Sequence, residues 1–146
     1  MSPVDAAIIR RKLGHIAETL HALRPLAQLT LDDYRARLYE RKAAERLLQE
    51  AIEAALDINA HLIAEQGGAV PEDYYLGFIA LGALQIIPDA LAHQLAPSAG
   101  LRNRLVHEYD AIDDGKVLTA IGTLLTLYPR FVEAIETFLS KADRQE

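Results

Sequence analysis

The chain contains no cysteine. Disulfide staples, thiolate nucleophiles and thiolate metal sites are therefore excluded, and a reducing compartment is allowed without being proved. An apolar run able to cross a bilayer is also missing. The richest stretch, Tyr74 to Ile87, is shorter than the roughly 20 residues a spanning helix needs. Positive charge is in short supply: the net charge is -6. A protein that holds nucleic acid over its whole surface is usually basic, so contact with a polyanion must here be local, at a small group of arginines. The glycine pattern of a dinucleotide fold, the phosphate-cradling P-loop and the HExxH pattern are all absent. No segment alternates as a half-buried strand would, and neither a repeat nor a linker is visible.

What is present is an ordinary globular composition. The chain has 146 residues, 51% apolar and 25% charged, enough to bury a single core in one domain. Met1 leads directly into a capped amphipathic segment rather than a signal peptide, so a cytoplasmic location and no membrane association are expected. Ser2-Pro3-Val4-Asp5 reads as a helix start. Ile9, Leu13, Ile16, Leu20 and Leu23 then repeat at the spacing of one helical face, and Arg24-Pro25 ends it. Thr30 with Asp33 starts a long helix expected to run from Leu31 to about Glu65, stopped by Gly67-Gly68. Leu31, Tyr34, Leu38, Leu48, Ile52, Ala55 and Leu62 share one side of it. Leu47, Ala51, Ala54 and Ile58 lie beside them, and Arg46, Glu50, Glu53 and Asp57 form the opposite polar stripe. So wide an apolar arc needs two neighbours, one of which can be a second copy of the chain.

Pro71-Glu72-Asp73 opens a third helix with Tyr74 and Tyr75 as core aromatics, ending near Ile87-Pro88. A short helix over Asp89 to Leu95 follows. Another starts at Pro97-Ser98 and fades around Tyr109-Asp110. Asp113-Asp114, at the turn, is a helix cap rather than an acid pair. The last helix runs to about Ala142, with Pro129 inside it and a kink expected there. The expected fold is an all-α, up-and-down bundle of about five helices.

The densest cluster of cationic and titratable groups away from the terminal helices and the start of the long one is Arg102-Asn103-Arg104-Leu105-Val106-His107-Glu108-Tyr109. Histidine as a residue type titrates near neutrality and moves protons in transition states. Arginine offers a planar fork to phosphate oxygens. Asn103 can orient a phosphate or the imidazole. Together such groups can cleave RNA without metal. Asn103, Arg104 and His107 share an arc, but Arg102 lies about 140° from His107 on an ideal helix. The two meet only if the helix unwinds or a second copy supplies its arginine. From spacing alone, the same residues also read as surface charges complementing a helix C-terminus. His15, His21, His61 and His93 are scattered and form no metal-ligand pattern.

Arg102-x4-His107-x-Tyr109, with polar Asn103 after the arginine, resembles the motif of the HepT-like toxins of the HEPN superfamily. The similarity extends to Arg41-Lys42-Ala43-Ala44-Glu45-Arg46-Leu47-Leu48 and Ala51-Ile52-Glu53-Ala54-Ala55-Leu56-Asp57-Ile58, and so covers most of the chain, residues 1–146 as one domain. The resemblance implies a homodimer whose two motifs face a shared cleft. It implies a metal-independent endoribonuclease toxin needing no cofactor, with Arg102 and His107 catalytic and Asn103, Arg104 and Tyr109 binding the RNA substrate. It also implies a minimal nucleotidyltransferase antitoxin that neutralises the toxin by adding AMP to Tyr109. The alternative is a non-catalytic, nucleotide-binding partner subunit of a nucleotidyltransferase. A third is a dimerisation module whose arginines only pair with Glu108 or Asp110.

Overall fold

The computed structural model describes residues 2–108 and 110–145. Among them the chain forms seven α-helices: α1 (Pro3–Leu23), α2 (Leu31–Ala36), α3 (Leu38–Glu65), α4 (Tyr74–Ala83), α5 (Asp89–Leu95), α6 (Ser98–His107) and α7 (Asp114–Gln145). Four of the starts are capped by the side chains that the sequence offers for it. Ser2 Oγ accepts from Asp5 N (3.2 Å) and Thr30 Oγ1 from Asp33 N (3.1 Å). Asp73 Oδ1 accepts from Tyr75 N (2.7 Å) and Asp113 Oδ1 from Lys116 N (3.1 Å). Each satisfies a main-chain N–H that the first helical turn leaves without a partner.

The long second helix expected from Leu31 to Glu65 is divided. Arg37 leaves the helical region (φ −108°, ψ 85°) and separates α2 from α3. The division lets α2 lean on α7 and bury Tyr34 completely, while Leu38 and Tyr39 beyond it stay exposed. One straight helix would have carried Tyr34 and Leu38 along the same line. Arg41 of α3 pairs with Asp114 at the start of α7 (3.5 Å), tying the two ends together across the break.

The third helix also ends earlier than expected, at Ala83. Ile86 N donates to Leu81 O (3.0 Å) and Gln85 N to Gly82 O (3.0 Å), while Gln85 sits in the left-handed region at φ 60°. This is the Schellman stop. The same pair of bonds ends α3, where Gly68 N donates to Ile63 O and Gly67 N to Ala64 O at φ 76°. Glycine announces the first stop; glutamine does not announce the second. Tyr74 and Tyr75 are not core aromatics: each is more than two-fifths exposed.

α3 is the central element, packed against α1 on one side and α4 and α6 on another. The face predicted for α1 is buried throughout, from Ile9 to Leu23. α7 supplies Val117, Ile121, Leu124, Tyr128, Phe131, Ile135 and Leu139 to the same core and remains helical through Pro129. Phe131 meets Phe78 of α4 edge to face, with ring centroids 6.2 Å apart. No helix among the described residues is long and apolar enough to cross a membrane.

Candidate functional site

The Arg-Asn-Arg…His segment forms the exposed half of α6. Leu101 and Leu105 are buried and fix the helix on α3. The intervening polar residues are thereby turned outward, because side chains four apart share a face. Arg102 is half-buried, whereas Asn103, Arg104 and His107 are exposed.

Arg102 is held on several sides. Its Nε donates to Glu53 Oε1 of α3 (3.3 Å), and its Nη1 donates to Asn103 Oδ1 (3.2 Å). The guanidinium lies 5.3 Å from the ring centroid of Tyr74, within cation–π range. Gln49 Nε2 in turn donates to the same Glu53 oxygen (3.0 Å), fixing the carboxylate. Guanidinium has five N–H donors, so its outer edge keeps donors free of these bonds. Arg102 and Asn103 are thus brought together; Arg102 and His107 are not. α6 stays helical through His107, so no unwinding swings the imidazole toward Arg102. Arg104 faces the opposite side of α6, against α7. Tyr109 lies outside the described residues.

Glu53, Gln49 and Tyr74 are the neighbours that the sequence does not announce. Glu53 reads there as one carboxylate in a solvated stripe, and Tyr74 as a core ring. A tertiary contact between helices far apart in sequence is what recruits them. The one local signal is the Gln49–Glu53 spacing of four, which places amide and carboxylate on one face. Among the described residues no group of three or more His, Asp or Glu side chains is arranged to hold a metal ion.

Two buried tyrosines stand apart from this site. The hydroxyl of Tyr34 has no hydrogen-bond partner among the described residues. Burial, reinforced by the Glu45 and Asp114 carboxylates, pushes its pKa up to about 12. Burial raises that of Tyr128 as well.

Known proteins share both sequence and fold. The family model described as ribonuclease HepT-like matches residues 16–135. A tRNA nuclease HepT from Aphanizomenon flos-aquae is 40% identical over 139 residues, covering 95% of each chain. The tri-AMPylated HEPN toxin of Shewanella oneidensis, solved in complex with MNT antitoxin, superposes with a TM-score of 0.79 at 22% identity, over 94% of this chain and 99% of that one. A toxin–antitoxin crystal structure with AMP-PNP gives a TM-score of 0.80 at 21% identity, over 90% of this chain and 98% of that one. With the seven-helix architecture, these matches lead to one conclusion: the chain belongs to the HepT-like ribonuclease family.

Proposed function

We propose that this protein is a metal-independent endoribonuclease, the toxin of a cytoplasmic toxin–antitoxin pair, and that it acts as a homodimer. The observation that carries this reading is the display of Arg102, Asn103 and His107 on one exposed helix, with Arg102 anchored by Glu53 and Tyr74. The 40% identity to a tRNA nuclease over nearly the whole chain supports it.

The chemistry follows from the groups. His107 takes the proton of a ribose 2′-hydroxyl, and that oxygen attacks the adjacent phosphorus. The bond from phosphorus to the 5′-oxygen breaks, leaving a 2′,3′-cyclic phosphate and a 5′-hydroxyl. An imidazole carrying a proton returns it to the departing oxygen. Arg102 stabilises the charge that builds on the phosphorane, Asn103 orients a phosphate oxygen, and Arg104 contacts a neighbouring phosphate. Arg102 and His107 diverge on one helix by about 140°, so a second copy of α6 is needed to complete a single site. That requirement supports the dimer.

The partner in this reading is a nucleotidyltransferase antitoxin. The Tyr109 hydroxyl attacks the α-phosphorus of ATP, taking AMP and releasing pyrophosphate. The added phosphate then occupies the arginine site and repels a substrate phosphate.

The test uses purified protein and RNA in EDTA. Cyclic-phosphate-ended fragments are expected. His107→Ala should lower cleavage by about 100-fold or more while light scattering still reports the dimer. Undiminished cleavage by that variant removes the assignment, and cleavage that EDTA abolishes and magnesium restores removes metal independence.

A further inference from the structure

Beside the motif, between α6 and α7, lies a slot of about 210 Å³ from which the mechanism above uses Arg104 alone. Its floor is apolar: Leu95, Leu101 and Leu124 line it from the core side, and Leu127 closes one wall. Arg104 and Lys116 stand on its lining as the only cations of the slot, and neither makes an ion pair with any described residue. Half-buried Ser98 and buried Tyr128 supply its inner polar edge. An apolar cleft with a few polar groups and cations on its lining suits a flat, partly polar ligand carrying an anion.

The hydroxyl pair sets the polarity of that edge. Ser98 Oγ donates its single hydrogen to Leu95 O (2.7 Å). The 2.8 Å contact with Tyr128 must therefore be a bond donated by the phenol. With both hydrogens committed, each hydroxyl can only accept. A ligand group facing this edge must be a donor; a carbonyl there would meet oxygen lone pairs. Arg104 and His107 are three apart on α6, about one turn, or ~5 Å along the axis. An anion held by Arg104 and Lys116 is thus close to the position where His107 would act. A smaller neighbouring hollow shares Arg104 and Lys116 but adds the carboxylates of Glu108 and Asp113, which disfavour an anion on that side.

Resting on the ribonuclease reading, we propose that this slot is a nucleobase subsite for the RNA substrate. It seats a base whose exocyclic amino group stands on C6 of a purine or C4 of a pyrimidine (adenine or cytosine, not guanine), with the attached phosphate on Arg104 and Lys116. The amino group donates to the Ser98 hydroxyl. Uracil and hypoxanthine, which present a carbonyl at the same position, are rejected. Specificity would then come from a surface that the catalytic pair does not touch.

The probes are CMP, UMP, AMP and IMP, titrated against the full dimeric chain by calorimetry or NMR shift. CMP should bind about tenfold more tightly than UMP, and AMP than IMP. Ser98→Ala should bring both ratios within about twofold. Lys116→Ala should weaken all four by about fivefold and leave the ratios unchanged. Because Ser98→Ala strands the Tyr128 hydroxyl, Thr123→Trp is the companion variant: Thr123 is exposed and lines the slot, so an indole there fills it without disturbing the core. It should abolish nucleotide binding. In RNA oligonucleotides, replacing adenine by hypoxanthine or cytosine by uracil should reduce wild-type cleavage by about tenfold. Equal binding of CMP and UMP, with RNA cleavage unaffected by Thr123→Trp, overturns the subsite and leaves the nuclease reading standing. The expected nucleotide ranking with no RNA cleavage upholds the slot as a nucleotide site and removes the nuclease reading. Ranked binding of free nucleotides with base-indifferent RNA cleavage assigns the slot to a free nucleotide and overturns the proposal.

Discussion

Replacing Glu53 separates two things that its carboxylate does for Arg102. It supplies a hydrogen-bond acceptor, 3.3 Å from Nε, and it supplies a negative charge that offsets the guanidinium. Glu53→Gln keeps the acceptor and removes the charge; Glu53→Ala removes both. The pair is part-exposed, with side-chain exposures of 19% for Arg102 and 36% for Glu53. Its net worth is therefore nearer that of an exposed ion pair than a buried one, about 1 kcal/mol. Neither variant should change folding stability by more than about that amount. The effect on catalysis differs. Without Glu53, Arg102 keeps only Asn103 and the Tyr74 face to orient it, and it regains part of the ~2 kcal/mol of rotamer entropy that a free arginine side chain carries. Glu53→Ala should lower kcat by about fivefold to tenfold, the equivalent of 1 to 1.4 kcal/mol. Glu53→Gln should hold kcat within about twofold but lower KM for RNA by about threefold at low salt, because a repulsive carboxylate has gone. That gain should vanish in high salt, where exposed charges are screened. The assay is steady-state cleavage of a fluorogenic RNA at two ionic strengths, with His107→Ala as the floor. Identical kcat values for the two variants, or a KM that ignores salt, would refute the idea that Glu53 positions Arg102.

Other substitutions test the fold and its titrating groups. Gln85→Gly should stabilise the chain by about 1 kcal/mol, since it relieves a left-handed residue at φ 60°; an unchanged or lower denaturation midpoint would contradict this. Gly82→Ala should destabilise it by about 1–3 kcal/mol, because a Cβ there would lie 2.8 Å from Ala92 Cβ and 3.2 Å from Asp89 Cα, where α4 and α5 touch. Equilibrium unfolding measures both. Tyr34 gives a pH dependence: its phenol stays neutral in the fold up to about 12, against about 10 when unfolded. The unfolded chain therefore loses that proton first, and the stabilisation is complete below pH 10 and lost as pH rises through about 12. Tyr34→Phe should flatten the denaturation midpoint across that window, and an equally steep decline in the variant would place the dependence elsewhere.

Much of this molecule is legible without coordinates because its cues are local. Ser2, Thr30, Asp73 and Asp113 cap helices by bonds spanning two or three residues. The α1 face is a strict periodicity, and Gly67 marks the end of α3. The break at Arg37 carries no such mark. Neither glycine nor proline stands between Leu31 and Glu65, and the division arises because Tyr34 is drawn into the core while Leu38 is not. Gln85 is hidden for a related reason: burial of Ile86 and Ile87 holds a non-glycine residue in a conformation it disfavours. At the site, residue types and spacing point to Arg102 and His107, but not to what surrounds them. Glu53 and Tyr74 meet Arg102 only after three helices have packed.

The interruption at Arg37 bears on how the chain tolerates change in length. One residue inserted into an unbroken helix rotates everything beyond it by about 100°, which would carry Glu53 away from Arg102 and turn Leu48 and Ile52 out of the core. At Arg37 the chain is already non-helical and exposed, and Leu38 and Tyr39 beyond it are exposed too. An insertion there can be taken up as loop. The first part of the chain can thus drift in length while the register of α3 against α6 stays fixed.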